Sequence, residues 1–254
     1  DDVTIVVEEE VVMVGQAPVI DDSRPEVTAE VALMSAYVWR GQVYNNDPVV
    51  QPQLTISQYD VSFNMWGNYN IAGSDSSGVS SDFSEIDFSL AYTLPVALNE
   101  LAFDVGAIHY TFPNTEANAT TEIFLSATVL SWVDSVVAVI PSFTAFYDVD
   151  EVDGAYFLLD VVFPYEVSEY VAVEGGVSAG YGNTSYNSYY WTGDAGWNDF
   201  NFYGNASYLI MDGLTASLNL TYTMLEGGSV KDAASDNYDN DKKFYGGVNI
   251  AYDF

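Results

Sequence analysis

The sequence predicts an all-β protein: a 12-stranded antiparallel transmembrane β-barrel over residues 26–254, preceded by a short N-terminal periplasmic extension over residues 1–25. Three observations predict this fold. Segments of roughly ten residues alternate apolar and polar side chains, the connections between them alternate in length, and aromatic residues make up 15% of the chain. A tilted strand of about ten residues crosses a membrane. Closure then gives every backbone polar group a partner and leaves no free sheet edge.

The alternation is clearest in segments 61–71 and 214–224, where one parity is almost entirely apolar and the other is polar. Side chains of a strand point alternately to opposite faces, so such a segment presents one face to lipid and one to the interior. The predicted strands are 26–40, 48–58, 61–71, 83–93, 100–112, 120–132, 136–147, 155–163, 170–182, 199–210, 214–225 and 243–254.

The connections between these strands alternate in length and composition. One set is long or acidic and rich in Gly, Asn, Asp and Ser: 41–47, 72–82, 113–119, 148–154, 183–198 and 226–242. The intervening set is shorter: 59–60, 94–99, 133–135, 164–169 and 211–213. Long extracellular loops and short periplasmic turns are typical of outer-membrane barrels. We therefore expect a bacterial outer-membrane location with both termini in the periplasm.

The chain is strongly acidic, with 37 Asp and Glu residues against five Lys and Arg residues. This field repels nucleic acid and anionic lipid head groups, so we expect no nucleic-acid partner. A layer of divalent cations would allow acidic loops to contact lipopolysaccharide and outer-membrane lipid. An acidic surface suited to a saline habitat explains the charge equally well. The chain contains no Cys, which excludes disulfide and thiolate chemistry.

Two segments resemble known families. The C-terminal strand ends in Tyr252-Asp253-Phe254 with apolar residues at alternate positions, and it resembles the terminal signal that the barrel-assembly machinery reads. On that resemblance, Tyr252 and Phe254 are the assembly-signal residues. The segment SAYVWRG at 35–41, followed by PVVQP at 48–52, is similar to the opening of the uncharacterised Gcw-type (Gcw_chp) outer-membrane proteins of bacteria. This resemblance implies a barrel and its location but transfers no activity.

The polar parity of the strands predicts an acidic lumen. We expect cations to be attracted to such a lumen and anions to be repelled. Arg40 is the one base assigned to this parity, and an ion pair with lumen acids is a better interpretation of it than a role in selectivity. The carboxylates assigned to the lumen are Glu30, Glu85, Asp87, Asp104, Glu122, Asp160, Glu174 and Asp253.

Catalysis is not predicted. His109 is the single histidine, in a Gly-x-x-His segment similar to that of outer-membrane phospholipases, but the serine-asparagine-glycine continuation of that family is missing. Without a matched nucleophile, no catalytic residue is assigned.

No cofactor is predicted. Asp148, Asp150 and Asp153 resemble half of a calcium loop but lack the later bidentate Glu. Solvated loop acids are the favoured interpretation, and weak binding of Ca²⁺ or Mg²⁺ is the alternative.

The N-terminal segment 1–25 combines Val and Ile with acidic residues, and it is interpreted as a tail, a plug or a docking strand. Because Asp1 opens no basic and apolar leader, we expect that a signal peptide has been removed.

Two functions follow from these predictions. The first is a non-enzymatic, narrow, cation-preferring diffusion channel for ions or small solutes. The second is a structural or assembly protein with a filled pore, whose N-terminal strand or acidic loops dock a second copy or another envelope protein. Twelve strands lie between a filled barrel and a narrow pore, so the strand count leaves both open.

Overall fold

The structure is a computed structural model that describes residues 24–71, 78–96, 101–130, 138–191, 193–237 and 241–254. Its large sheet contains β1 (Glu26–Met34), β4 (Val49–Gln58), β5 (Val61–Asn70), β6 (Phe83–Thr93), β7 (Leu101–Thr111), β8 (Thr120–Val129), β9 (Ile140–Asp148), β10 (Ala155–Ser168), β11 (Val171–Gly182), β12 (Gly196–Met211), β13 (Leu214–Leu225) and β14 (Lys242–Asp253). A separate hairpin contains β2 (Tyr37–Trp39) and β3 (Gln42–Asn45). The helices are α1 (Thr184–Tyr190) and α2 (Gly228–Asn237). Neither helix of this part of the chain is long and apolar enough to span a membrane.

The large sheet closes into a barrel because its first strand is paired on both sides. β1 pairs with β14, with Glu30 opposite Ala251, and it pairs with β4, with Glu30 opposite Gln53. Within the described residues the order around the barrel is β1, β14, β13, β12, β11, β10, β9, β8, β7, β6, β5 and β4. This confirms the predicted all-β, 12-stranded antiparallel barrel.

The described chain begins and ends at the same end of the barrel. The backbone N–H of Phe254 donates to the carbonyl of Val27 at 3.0 Å, which ties the last residue to the first strand. We call this end the terminal end and the opposite end the loop end. Residues 1–23, on which the predicted tail, plug or docking strand largely falls, lie outside the described residues.

The outer wall is apolar and the inner wall is polar, as the closing strand β14 illustrates. Val248 and Ile250 are 53% and 55% exposed, whereas Asn249 between them is 6% exposed. The exposed set continues around the barrel with Leu33, Met65, Leu125, Leu159 and Leu218. Apolar side chains around the outside of a closed sheet are what a lipid environment requires.

A charge on this outer wall is expected to destabilise the barrel in lipid. Leu218 lies in the middle of β13 and is 46% exposed, while its half-buried neighbour Ser217 has the opposite parity. Leu218→Arg should lower the free energy of unfolding by about 2–4 kcal/mol, the cost of an arginine near the middle of a bilayer. Ser217→Arg is the matched control and should cost clearly less. Urea titration in lipid vesicles measures both, and equal costs would contradict the assignment of the two faces.

The predicted first strand, 26–40, is wrong at its C-terminal end. β1 ends at Met34, and residues 37–39 instead pair with 42–45, so the predicted loop 41–47 supplies the return strand of a hairpin. The reversal occurs at Arg40 and Gly41, whose φ angles are 46° and 79°. Two consecutive residues with positive φ make the tight turn that matches the twist of a two-stranded hairpin.

The predicted strand 155–163 is too short, since β10 continues through Pro164 to Ser168. The predicted turn 164–169 therefore shrinks to Glu169 and Tyr170. Among the described residues, pairing of β10 with β9 ends at Val162, and beyond it β10 pairs with β11 alone. Proline has no backbone N–H to donate. None is required at Pro164, because within the described part of the chain β10 has only one paired neighbour there.

Other boundaries differ by a few residues. β12 begins at Gly196 rather than 199 because it pairs with Gly182 at the end of β11. β9 begins at Ile140, and residues 136 and 137 of the predicted strand lie outside the described residues. The two helices lie in the predicted loops 183–198 and 226–242 and were not predicted.

Candidate functional site in the barrel lumen

The hairpin β2–β3 crosses the lumen at the loop end, and we call residues 37–45 the lumen hairpin. On one side, Tyr37 Oη donates to Glu85 Oε2 of β6 at 2.8 Å. At the hairpin tip, Arg40 forms an ion pair with Glu122 of β8. Around the barrel, β8 is five strands from β1 in one direction and seven in the other. A chain that leaves β1 and contacts β8 therefore spans the width of the barrel.

The tip of the lumen hairpin is packed closely against the wall. A Cβ placed on Gly41 would overlap with Leu225 Cδ2 of β13 and would lie 3.0 Å from Asp199 Cβ of β12. On the return strand, the Asn45 amide donates to Asn70 Oδ1 of β5 at 2.7 Å. The hairpin is thus in contact with walls on several sides of the lumen.

Arg40 forms a buried, bidentate ion pair. Its Nη1 donates to Glu122 Oε1 at 2.9 Å and its Nη2 donates to Glu122 Oε2 at 2.8 Å. The two side chains are 4% and 3% exposed. Tyr110 Oη of β7 also donates to Glu122 Oε2, at 2.9 Å. A planar guanidinium fork on a carboxylate is the strongest geometry for such a pair.

Four aromatic rings surround the same guanidinium, and we call them the aromatic cage. Distances from Arg40 Cζ to the ring centroids are 4.1 Å for Tyr156, 4.5 Å for Trp39, 4.6 Å for Phe146 and 5.7 Å for Tyr186. The negative face of an aromatic ring attracts a cation within about 6 Å of its centroid. The cage therefore adds to the attraction that the Glu122 carboxylate supplies.

Helix α1 covers the cage from the loop end. Asn183 caps it by accepting from the Tyr186 backbone N–H at 2.9 Å. Tyr186 and Trp191 are 1% and 0% exposed, and they pack in an apolar cluster with Leu225 and with residues of α2. Burial raises the pKa of Tyr186 well above its usual value, and the nearby Arg40 opposes that rise. Tyr186 is therefore a neutral phenol at physiological pH.

A second apolar cluster holds the base of the lumen hairpin. Tyr37 stacks on Tyr44 with ring centroids 5.5 Å apart, and it contacts Trp66 of β5 at the same separation. Burial raises the pKa of Tyr37 well above its usual value, and the Glu85 charge adds to this. Its hydroxyl stays protonated and donates to that carboxylate. Buried members of the cluster include Ala32, Met34, Ala36, Val38, Val49 and Tyr245.

The carboxylates assigned to the lumen are spread along its length rather than gathered in one place. Glu85, Asp87 and Glu122 lie in the loop half, and Glu85 and Glu122 are buried. Glu30, Asp160 and Glu174 lie near the middle, and Asp104 and Asp253 lie near the terminal end. Asp253 is exposed and accepts from Thr28 at 2.6 Å. Their role in selectivity stays a prediction.

The carboxylates near the middle and the terminal end of the lumen accept hydrogen bonds from neutral donors. Asp160 accepts from Tyr203 Oη at 2.8 and 3.0 Å. Asp104 accepts from Thr93 Oγ1 at 2.6 Å. Glu30 accepts from the Asn249 amide at 2.8 Å. These bonds orient the carboxylates without neutralising their charge.

Asp199 and Lys243 are charged residues on the lumen parity that were not predicted to lie there. Asp199 is 1% exposed and accepts from Tyr156 Oη at 2.9 Å and from the Asn201 amide at 3.0 Å. Its parity with Asn201 in the predicted strand 199–210 would have identified it.

Lys243 shares the inward parity of Asn249 and donates to Asn46 at the loop end. Arg40 is therefore not alone among the bases on the lumen parity.

Two of the three acids of the suggested calcium loop, Asp148 and Asp153, accept hydrogen bonds from other groups. Asp148 accepts from Thr120 Oγ1 at 2.6 Å and from the backbone N–H groups of Asp150 at 2.9 Å and Val152 at 3.2 Å. Asp153 accepts from the Tyr147 hydroxyl. Among the described residues, no group of three or more Asp, Glu, His or Cys side chains is placed to hold a metal ion. Weak binding of Ca²⁺ or Mg²⁺ stays a prediction.

His109 and the C-terminal aromatic residues lie on the outer wall. His109 is exposed, and its Nδ1 lies 3.0 Å from Thr121 Oγ1 of the neighbouring strand. Tyr252 and Phe254 are 41% and 79% exposed, with ring centroids 4.8 Å apart. Their position is accessible to another protein, and their assembly role stays a prediction.

Solved structures with a similar fold include outer-membrane porins and channels. The NanC porin aligns with a TM-score of 0.53 at 10% identity, covering 90% of this chain and 98% of that chain. The COG4313 outer membrane channel from Pseudomonas putida F1 aligns with a TM-score of 0.54 at 9% identity, covering 91% and 94%. LpxR from Salmonella typhimurium aligns with a TM-score of 0.55 at 12% identity, covering 90% and 100%. At these identities the similarity concerns the fold, which agrees with the predicted outer-membrane location.

The sequence itself matches one family. No curated protein matches the chain. Residues 20–223 match the family described as "Bacterial protein of unknown function (Gcw_chp)", which covers most of the barrel. The resemblance of residues 35–52 to that family is thereby confirmed, and the chain belongs to the Gcw_chp family of bacterial proteins.

Proposed function

We propose that this barrel is a non-enzymatic, narrow, cation-preferring diffusion channel of the outer membrane. One observation carries the proposal: between the lumen hairpin and the terminal end, the described residues of the inner wall include carboxylates and no base. The five bases of the chain are Arg24, Arg40, Lys231, Lys242 and Lys243. The first precedes β1, and the other four lie at the loop end.

The position of these charges favours cations over anions. Arg40 is neutralised by Glu122, whereas Asp160 and Glu174 face the middle of the lumen with no basic side chain on the surrounding strands. Negative charge in a low-dielectric pore attracts cations and raises the barrier to anions. The porin and channel folds named above support passage through the barrel, although their sequences are too distant to name a solute.

Ion selectivity tests the proposal. In planar bilayers with a KCl gradient, we expect a small conductance whose reversal potential shows preference for K⁺ over Cl⁻. Asp160→Asn combined with Glu174→Gln should move the reversal potential towards zero, because it removes the charge at mid-lumen. Glu226→Gln, in the exposed ion pair with Lys231, is the matched control and should change little. Absence of conductance would refute the channel, and a preference for Cl⁻ would refute its cation preference.

A second function is favoured by the lumen hairpin: a structural or assembly barrel whose pore is filled. A segment that crosses the lumen and is packed on several sides obstructs the passage of solutes. Such a protein would dock a second copy or another envelope protein through its N-terminal segment or acidic loops. If deletion of residues 1–20 leaves the oligomeric state and the recovered partners unchanged, this second function loses its support at that segment.

A further inference from the structure

We propose that the loop end of the lumen contains a binding site for guanidinium cations, which the chain's own Arg40 occupies in this structure, and that a solute carrying a guanidinium group displaces the lumen hairpin from it. This deepens the proposed channel function, because displacement of the hairpin would unblock the lumen. Binding itself can be measured without any conductance, so the two ideas can fail separately.

The wall supplies most of this site without the hairpin. Glu122 comes from β8, Phe146 from β9 and Tyr156 from β10. Tyr186 of α1 closes the site, and Tyr110 of β7 orients the carboxylate through its 2.9 Å hydrogen bond. Five elements of the wall and its covering loop thus converge on one cation. From the lumen hairpin come only the guanidinium itself and the Trp39 ring.

The arrangement selects a guanidinium over a spherical cation. Two parallel donors at 2.9 and 2.8 Å match the two oxygens of Glu122, which a planar fork can satisfy and an ammonium cannot. The rings of Tyr156 and Phe146 lie within 4.6 Å of Cζ, and a weakly hydrated planar cation stacks well on such faces. A K⁺ ion would keep more of its hydration and use fewer of these contacts.

The occupant is a short element that can be displaced. The lumen hairpin has two strands of three and four residues, and an isolated hairpin of this kind is marginally stable in water. Its other polar anchors include the Tyr37 bond to Glu85 and the Asn45 bond to Asn70. A tethered Arg40 competes at an effective concentration on the order of millimolar, so a free solute must reach that range to displace it.

The first arm of the test empties the site. Arg40→Ala leaves Glu122 and the three wall rings in place, and methylguanidinium is the probe. We expect a saturable rise in the folded fraction of Arg40→Ala barrels, measured by heat-modified migration in electrophoresis during refolding and thermal melting. Because refolding is itself the readout, a variant that folds poorly still reports. Methylammonium at equal ionic strength, and the double variant Arg40→Ala with Glu122→Gln, should show no such rise.

The second arm asks whether a free solute displaces Arg40 from the native site. The chain has no Cys, so Val38→Cys places a single thiol in the buried hairpin. We expect methylguanidinium at tens of millimolar to accelerate labelling of this thiol several-fold, with methylammonium inactive. Failure of the first arm overturns the site. If the first arm succeeds but methylguanidinium does not change the labelling rate of Val38→Cys, a free solute does not displace Arg40. The cage is then only a structural anchor for the hairpin.

Discussion

Replacing Glu122 by alanine is expected to lower the free energy of unfolding by about 3–5 kcal/mol, the range for removing one partner of a buried ion pair. The variant removes the carboxylate that holds the Arg40 guanidinium in a bidentate pair, in a site where the Arg40 side chain is 4% exposed. The cage rings cannot make up this loss, because their cation–π contacts, of about 0.5–2 kcal/mol each, are already present in the unmodified protein. Urea titration in vesicles, followed by heat-modified migration, measures the loss.

Two further variants show whether the loss of stability comes from breaking the buried ion pair. Arg40→Met combined with Glu122→Leu replaces the pair by apolar side chains of similar length and should recover most of the stability. Glu226→Ala breaks the exposed pair with Lys231, where the side chains are 43% and 38% exposed, and should cost less than about 1 kcal/mol. If Glu122→Ala cost no more than this control, the buried pair would not anchor the hairpin.

Removing the lumen hairpin is expected to raise single-channel conductance several-fold. Met34 and Val49 are paired residues of adjacent strands, so a short turn can replace residues 36–47 without moving the barrel. Without the hairpin, the Arg40 guanidinium and the rings of Tyr37, Trp39 and Tyr44 no longer occupy the lumen. Conductance in planar bilayers and uptake of small sugars into vesicles measure the change.

The matched control shortens the loop between β7 and β8 and keeps the hairpin. Tyr110 of β7 and Thr120 of β8 are also paired, and the loop between these strands can be trimmed over residues 114–117. This variant should keep the small conductance of the unmodified protein. Unchanged conductance after removal of the hairpin would show that the hairpin does not limit passage.

The barrel was predictable because its determinants are local. Alternation along each strand, as in 214–224, fixes which side chains face lipid, and the exposed Leu218 beside the half-buried Ser217 follows from it. Loop lengths then give the antiparallel order. Local sequence determines turns and strand ends less strongly than it determines strands. Pro164 was therefore predicted to follow the end of a strand, whereas β10 continues through it.

The lumen hairpin was not predictable because its partners are distant in sequence. Tyr37 and Glu85 are 48 residues apart, and Arg40 and Glu122 are 82 residues apart. The segment contains strand-forming residues in continuous alternation with β1, and its turn lacks the Asn-Gly or Asp-Gly pair that marks a tight hairpin. Parity assigned both Arg40 and Glu122 to the lumen, but only the folded chain shows that they form one pair.

The helices over the cage were missed for a related reason. α1 has the sequence TSYNSYY, whose Ser, Asn and Tyr residues have modest helix propensity. Its stability comes from the Asn183 cap and from burial of Tyr186 and Trp191 rather than from intrinsic preference.

Thiol accessibility tests most directly whether the hairpin lies inside the lumen. Val38 is 5% exposed, whereas Asp47, just beyond the hairpin, is exposed. In otherwise Cys-free barrels in vesicles, a membrane-impermeant thiol reagent should label Val38→Cys at least about tenfold more slowly than Asp47→Cys, because buried sites react through opening of the structure. Equal labelling rates at the two positions would mean that the hairpin projects into solvent, and would contradict this account.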